Sequence, residues 1–114
     1  MKLKLTKTPR KFKTDDIVLK DYGKILLKEK EMVSFQTPSG KENDVTAYSW
    51  GFYIANSLNG RLKNSGFKAA LIVGEKKRIY ITIVDVDKID EFKRYLKKYN
   101  YVVLTWLDEW AEPQ

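Results

Sequence analysis

The chain has no cysteine and no histidine. Lacking cysteine, it can form no disulfide, no thiolate metal site and no thiol nucleophile. Lacking histidine, it loses the side chain that titrates nearest neutral pH, the commonest metal ligand and the usual Ser-His triads. Catalysis of any kind would rest on Asp, Glu, Lys, Tyr or Ser. Long apolar runs are also missing. The longest, such as Ala69 to Val73, fall far short of the roughly 20 residues a membrane helix needs. No apolar segment follows the basic N-terminal residues, so a secretory leader is not expected, and the cytoplasm is the expected compartment.

Phosphate-cradling glycine motifs are absent too. Gly60 and Gly66 bracket no Gly-Lys-Ser/Thr sequence. Ser49-Trp50-Gly51 sets a serine before a glycine, but no histidine exists to activate it.

What is present suits one ordinary domain. With 114 residues, 43% of them apolar and 13% aromatic, the chain can bury a core. The net charge of +7 is unevenly placed. Lys2, Lys4, Lys7, Arg10, Lys11 and Lys13 all precede the first acid, and the remaining bases almost balance the 15 acids. The expected division is a basic N-terminal arm or edge strand over 1–13, a single α+β domain over 14–107 and an acidic tail over 108–114 carrying Asp108, Glu109 and Glu112.

Val45 to Gly60 is the longest stretch without charge, with four aromatics, two glycines and two asparagines. It reads as a strand that turns into a short helix near Asn56 or Ser57, with Gly51 marking a bulge or close backbone approach. Before it, Asp16–Lys20 and Lys24–Lys28 suggest a hairpin about Asp21-Tyr22-Gly23, and Met32–Thr37 a strand ending at the Pro38-Ser39-Gly40 turn.

After it, Gly66 suits a helix terminus, and Phe67–Val73 and Arg78–Val86 read as strands joined by Gly74–Lys77. Arg78–Val86 carries apolar groups on both faces and is expected to be a central strand. Asp87–Asn100 reads as the longer helix, acidic at its start and basic at its end, with Ile89, Phe92, Leu96 and Tyr99 as its apolar stripe. Tyr101–Leu107 supplies the last strand. The expectation is a mainly antiparallel sheet of about five or six strands with one short and one longer helix. From residue 45 on, the element order matches the ferredoxin-like, split βαβ arrangement.

Candidate sites follow from residue chemistry. The arm cations Lys2, Lys4, Lys7, Arg10, Lys11 and Lys13 are suited to phosphates, and strand aromatics, Tyr80 among them, to stacking on bases. An RNA-recognition signature is not met: Ser65-Gly66-Phe67-Lys68-Ala69 keeps only Gly-Phe, and Arg78-Ile79-Tyr80-Ile81 lacks the glycine. Trp50, Tyr53, Asn56, Asn59 and Arg61 converge on the strand-to-helix junction as a candidate pocket for a small polar ligand or anion; core packing and capping explain them as well. Asp85, Asp87 and Asp90 lack the spacing of a calcium loop and read as helix-capping charges. Asp15-Asp16 and Asp108-Glu109 read as solvated charge.

The expected function is therefore a non-enzymatic binding module without cofactor or metal, contacting RNA or single-stranded DNA through the arm and a partly aromatic sheet face. The competing reading is an accessory domain that docks on a protein partner or on itself, with Trp106 and Trp110 or edge strands as the contact. A small enzyme using carboxylates alone is a third. No membrane association is expected.

Overall fold

The computed structural model describes residues 1–110, and the following concerns those residues. The chain is α+β, with antiparallel sheets and two helices. There are eight strands, more than the sequence pattern suggested. The chain divides into two compact units, Met1–Val33 with Thr46–Tyr53, and Ser34–Val45 with the chain from Ile54, the divisions falling within the third and fourth strands.

The first unit contains a long antiparallel hairpin of β1 (Lys2–Thr14) and β2 (Ile17–Leu26). The chain reverses at Asp15-Asp16, where Asp15 adopts φ 54°, a conformation aspartate tolerates through local side-chain hydrogen bonding. The expected turn at Asp21-Tyr22-Gly23 is instead interior to β2. Leu5 pairs with Gly23 and Arg10 with Asp21, so Thr6 to Pro9 bulge opposite the single residue Tyr22. Pro9, which has no N–H to offer a ladder, sits where the pairing is interrupted.

A second sheet has the order β3-β4-β5, with β3 spanning Met32–Gln36, β4 Glu42–Tyr48 and β5 Gly51–Tyr53. The strand expected to run on to about Ile54 breaks at Ser49-Trp50: Tyr48 faces Gly51, and Thr46 faces Tyr53. Gly51 has φ 145°, so its role is to close this tight hairpin rather than to admit a close neighbour. The Pro38-Ser39-Gly40 turn forms as expected, with Gly40 at φ 91° donating its N–H to the Thr37 carbonyl.

In the second unit a three-stranded sheet runs β7-β6-β8, where β6 is Phe67–Val73, β7 Ile79–Asp85 and β8 Val102–Trp106. The middle strand is β6, buried along most of its length, and β7 is at the edge. Both neighbours run antiparallel to β6, so β7 and β8 are parallel to each other and are joined across it through the helix α2 (Ile89–Lys98). This is a split crossover, but not the ferredoxin-like order. That order needs the strand from residue 45 in the same sheet, and this segment belongs to β4, paired with β3 and β5.

Alternation along β6 builds a core on each face. Ala70 and Ile72 meet Leu96 of α2, with Phe92, Tyr101, Val103 and Trp106 around them. Phe67 and Ala69 face the other way, against Leu62 of the four-residue helix α1 (Arg61–Asn64), with Ala55, Leu58, Ile83 and Leu107. The short helix begins at Gly60 rather than at Asn56 or Ser57. Ser57 still serves it, its Oγ accepting the Arg61 N–H at 2.9 Å. Gly66 ends it at φ 90°. A 3-10 turn over Val86–Lys88 precedes α2, and the residue that caps it is Asp85, whose carboxylate accepts from the Asp87 N–H, not Asp87 itself.

Candidate functional site

On a strand, alternate side chains share a face about 6.6 Å apart, and directly paired residues point to the same side. In the β1–β2 hairpin, the end holding the chain terminus therefore collects Lys2, Lys4, Lys24 and Leu26 on one face, and Leu3, Leu5 and Ile25 on the other. The turn end collects Lys11, Lys13, Val18 and Lys20 on one face, and Arg10, Phe12, Leu19 and Asp21 on the other. Each half has a lysine face; the opposite face is apolar at the terminus end and mixed at the turn end, where the Arg10–Asp21 pair adjoins Phe12 and Leu19. Lys4 is directly opposite Lys24, and Lys11 directly opposite Lys20. Like charges placed across a ladder repel one another, so both pairs work against the hairpin.

Arg10 does not join the lysines. Its guanidinium binds Asp21 at 3.0 Å and lies over the Phe12 ring. Asp21 also accepts the Gly23 N–H, and that bond, with help from Arg10, holds its carboxyl below the usual range. Lys7 lies in the bulged segment.

The same unit carries an aromatic group at the β4–β5 turn. The rings of Tyr48 and Trp50 stack 5.5 Å apart and 9° from parallel, and Tyr53 meets both edge-on at 5.2 and 5.3 Å. These rings hold one another in place while remaining open to solvent, with Trp50 two-thirds exposed (66%).

The pocket residues foreseen in the sequence divide between the units. Trp50 and Tyr53 belong to the first, Asn56, Asn59 and Arg61 to the second. The backbone N–H of Asn56 donates to Asn43 Oδ1, and Asn43 in turn donates to the Ile54 carbonyl. Arg61 lies 3.2 Å from the buried carboxylate of Asp44, an ion pair without an aligned hydrogen bond, while Ser34 donates to the other Asp44 oxygen. Tyr80 is on β7 in the second unit, edge-on to Tyr101 at 5.8 Å.

Of the acidic trio, Asp85 and Asp87 together hold Lys41, at 2.6 and 2.9 Å. Lys41 hydrogen bonding holds the Asp85 carboxyl low, and Asp85 in turn raises the Lys41 ammonium. Among the described residues no group of three acids or other ligands is placed to hold a metal ion. A shallow, open groove of about 380 Å³ lies between β7 and α2, lined by Thr82, Val84, Asp85, Lys88, Phe92 and Tyr95.

Asp108 is not solvated charge. It is buried in the second unit, in a 3-10 turn over Leu107–Glu109. The rest of the expected acidic tail, Glu112 included, lies outside the described residues. Sequence reasoning also passed over Lys20 and Lys24. Their spacing of four places them on one face of any continuous strand, but the supposed turn at Asp21 concealed that strand.

Compared with known proteins, the chain matches no family model, no curated protein and no solved structure. Among the described residues no helix is long and apolar enough to cross a membrane.

Proposed function

We propose that the protein is a cytoplasmic, non-catalytic binding module whose first unit holds RNA or single-stranded DNA. The observation that carries this reading is the opposition of Lys4 to Lys24 and of Lys11 to Lys20. A sequence selected only for hairpin stability would set acids or neutral residues against those lysines. A phosphate lying between two facing ammonium groups turns their repulsion into shared attraction. Lysine pairs at both ends of the ribbon suit a chain of phosphates rather than one small anion. The stacked aromatics of the same unit suit bases that are unpaired and free to present their faces, which favours single strands over duplex.

Fluorescence anisotropy with labelled single-stranded and duplex oligonucleotides tests this at low and physiological salt. Saturable binding to single strands is expected to weaken steeply as salt rises, because each contacted phosphate releases a counterion. Lys4→Gln with Lys24→Gln, and Lys11→Gln with Lys20→Gln, each flatten that salt dependence. Trp50→Ala weakens single-strand binding by about 1–3 kcal/mol for each base that stacks on it. Absence of saturable binding at low salt, or binding untouched by the lysine changes, overturns the proposal.

A further inference from the structure

The outer edge of β7 is unpaired: in the order β7-β6-β8 no described strand lies beyond it. Sheet edges in monomeric proteins are usually blunted by lysine, proline or a bulge. β7 has none of these. Up to its last residue, Asp85, the strand contains no charge, no proline and no glycine: Ile79-Tyr80-Ile81-Thr82-Ile83-Val84 pairs regularly with β6, and four of these six residues are isoleucine or valine. Ile79, Tyr80 and Ile81 are 59%, 43% and 53% exposed. The β1–β2 hairpin, by contrast, is studded with lysines along both strands.

The charges flanking β7 say what would pair with it. Lys76, Lys77 and Arg78 precede the strand, whereas Asp85 ends it and Asp87 follows, the two acids sharing Lys41. The edge is therefore basic at one end and neutral along its middle, and at the other end it presents the exposed carboxylate of Asp87, Lys41 offsetting one of the two acids. A parallel neighbour with the same sequence would set like charge against like. An antiparallel neighbour with the same sequence sets basic against acidic at both ends.

We propose that β7 pairs antiparallel with β7 of a second copy of this chain, joining two three-stranded sheets into one of six strands. A twofold axis normal to the sheet permits this and keeps each face continuous. Ile79, Ile81 and Ile83 of both copies then share one side, while Tyr80, Thr82 and Val84 share the other, giving β-branched and aromatic cross-strand contacts along the seam. This pairing is independent of the nucleic-acid reading, because it uses only second-unit residues.

Sedimentation velocity of the full chain across the micromolar to submillimolar range is the test, coupled to hydrogen exchange of the β7 amides. The wild-type chain is expected to approach twice its 13.4 kDa mass as concentration rises, with protection of β7 rising in step. Ile81→Lys puts a charge on the seam at an exposed position, so the variant is expected to stay monomeric, with an unchanged far-UV spectrum and exposed β7 amides. Ile79→Lys is a second variant with the same expected result should Ile81→Lys perturb the fold. A wild-type chain that stays monomeric throughout overturns the proposal. So does a dimer that survives both lysine substitutions, because its contact would then lie elsewhere.

Discussion

Lys68 Nζ donates to Asp108 Oδ2 at 2.8 Å, while Asp108 Oδ1 accepts the backbone N–H of Ala69 at 3.0 Å. One carboxylate thus satisfies a side chain and a main-chain donor of the central strand. Lys68 also lies over the Trp106 ring, 5.0 Å from its centre, so β6, β8 and the 3-10 turn meet at this one pair. Removing the acid strands a buried N–H and leaves the partly buried ammonium with only Glu109, 3.6 Å away. Asp108→Ala is expected to cost about 2–4 kcal/mol, by the penalty for leaving such partners unsatisfied. Lys68→Met is expected to cost a similar amount, because it leaves the Asp108 carboxylate, only 3% exposed, without its cation. Urea unfolding measures both. A loss below about 1 kcal/mol for Asp108→Ala would show that the pair is incidental.

The same pair sets an acid-side limit on stability. Burial pushes the Asp108 carboxyl up, but the hydrogen bonds from Lys68 and Ala69 outweigh burial and leave it below its ordinary 3.8. A carboxylate lowered on folding contributes stability that is complete well above 3.8 and erodes as pH falls from there through the lowered folded value. Asp85, lowered chiefly by Lys41, acts in the same direction. Unfolding free energy measured over acidic pH should therefore fall more steeply for the wild type than for Asp108→Asn. Equal slopes would mean that Asp108 titrates alike in the folded and unfolded chain. At the alkaline end, Lys41 and Lys68 are both raised by their acid partners. Their contribution is complete below the ordinary 10.5 and disappears only as pH climbs through the higher folded values.

The facing lysines predict opposite effects on folding and binding. Lys11→Gln removes one member of a like-charge cross-strand pair, so thermal unfolding should show a gain of a few tenths of a kcal/mol, up to about 1. Oligonucleotide affinity should fall in the same variant. A lysine with a purely structural role would show the reverse, with stability lost and affinity unchanged.

Gly23 is fixed by its neighbours. A Cβ there would sit 2.0 Å from the Lys4 carbonyl oxygen, and its φ of 120° is one that side-chain-bearing residues rarely adopt. Gly23→Ala should open the hairpin about the bulge. Faster hydrogen exchange in β1 and β2, with β6 unaffected, is the expected result. Unchanged protection in β1 would show that the bulge can re-form around a side chain.

Much of the second unit was legible because its signals are local. Gly74–Lys77, the charge polarity of α2 and the apolar run of β6 each declare their element within a few residues. The first unit resisted because its signals compete. Asp21-Tyr22-Gly23 has turn chemistry, yet Asp21 spends its side chain on the Gly23 N–H and on Arg10, and the strand continues through it. β7 looked central because both its faces are apolar, and only the strand order shows it to be an exposed edge. The lysine oppositions depend on register, which a bulge shifts, and composition cannot show where Arg10 leaves the lysine face. The burial of Asp108, next to Glu109 near the chain end, had no local mark at all.

The separation of the aromatic residues has an optical consequence. Trp50 is the single tryptophan of the first unit and stands largely in water, whereas Trp106 is half-buried between Phe92 and Lys68 in the second. Changing Trp106 and Trp110 to phenylalanine leaves emission that reports on the hairpin unit alone, and changing Trp50 leaves emission from the sheet unit. The chain thus carries a native fluorophore for each half of its structure, and the two halves can be watched separately without an added label.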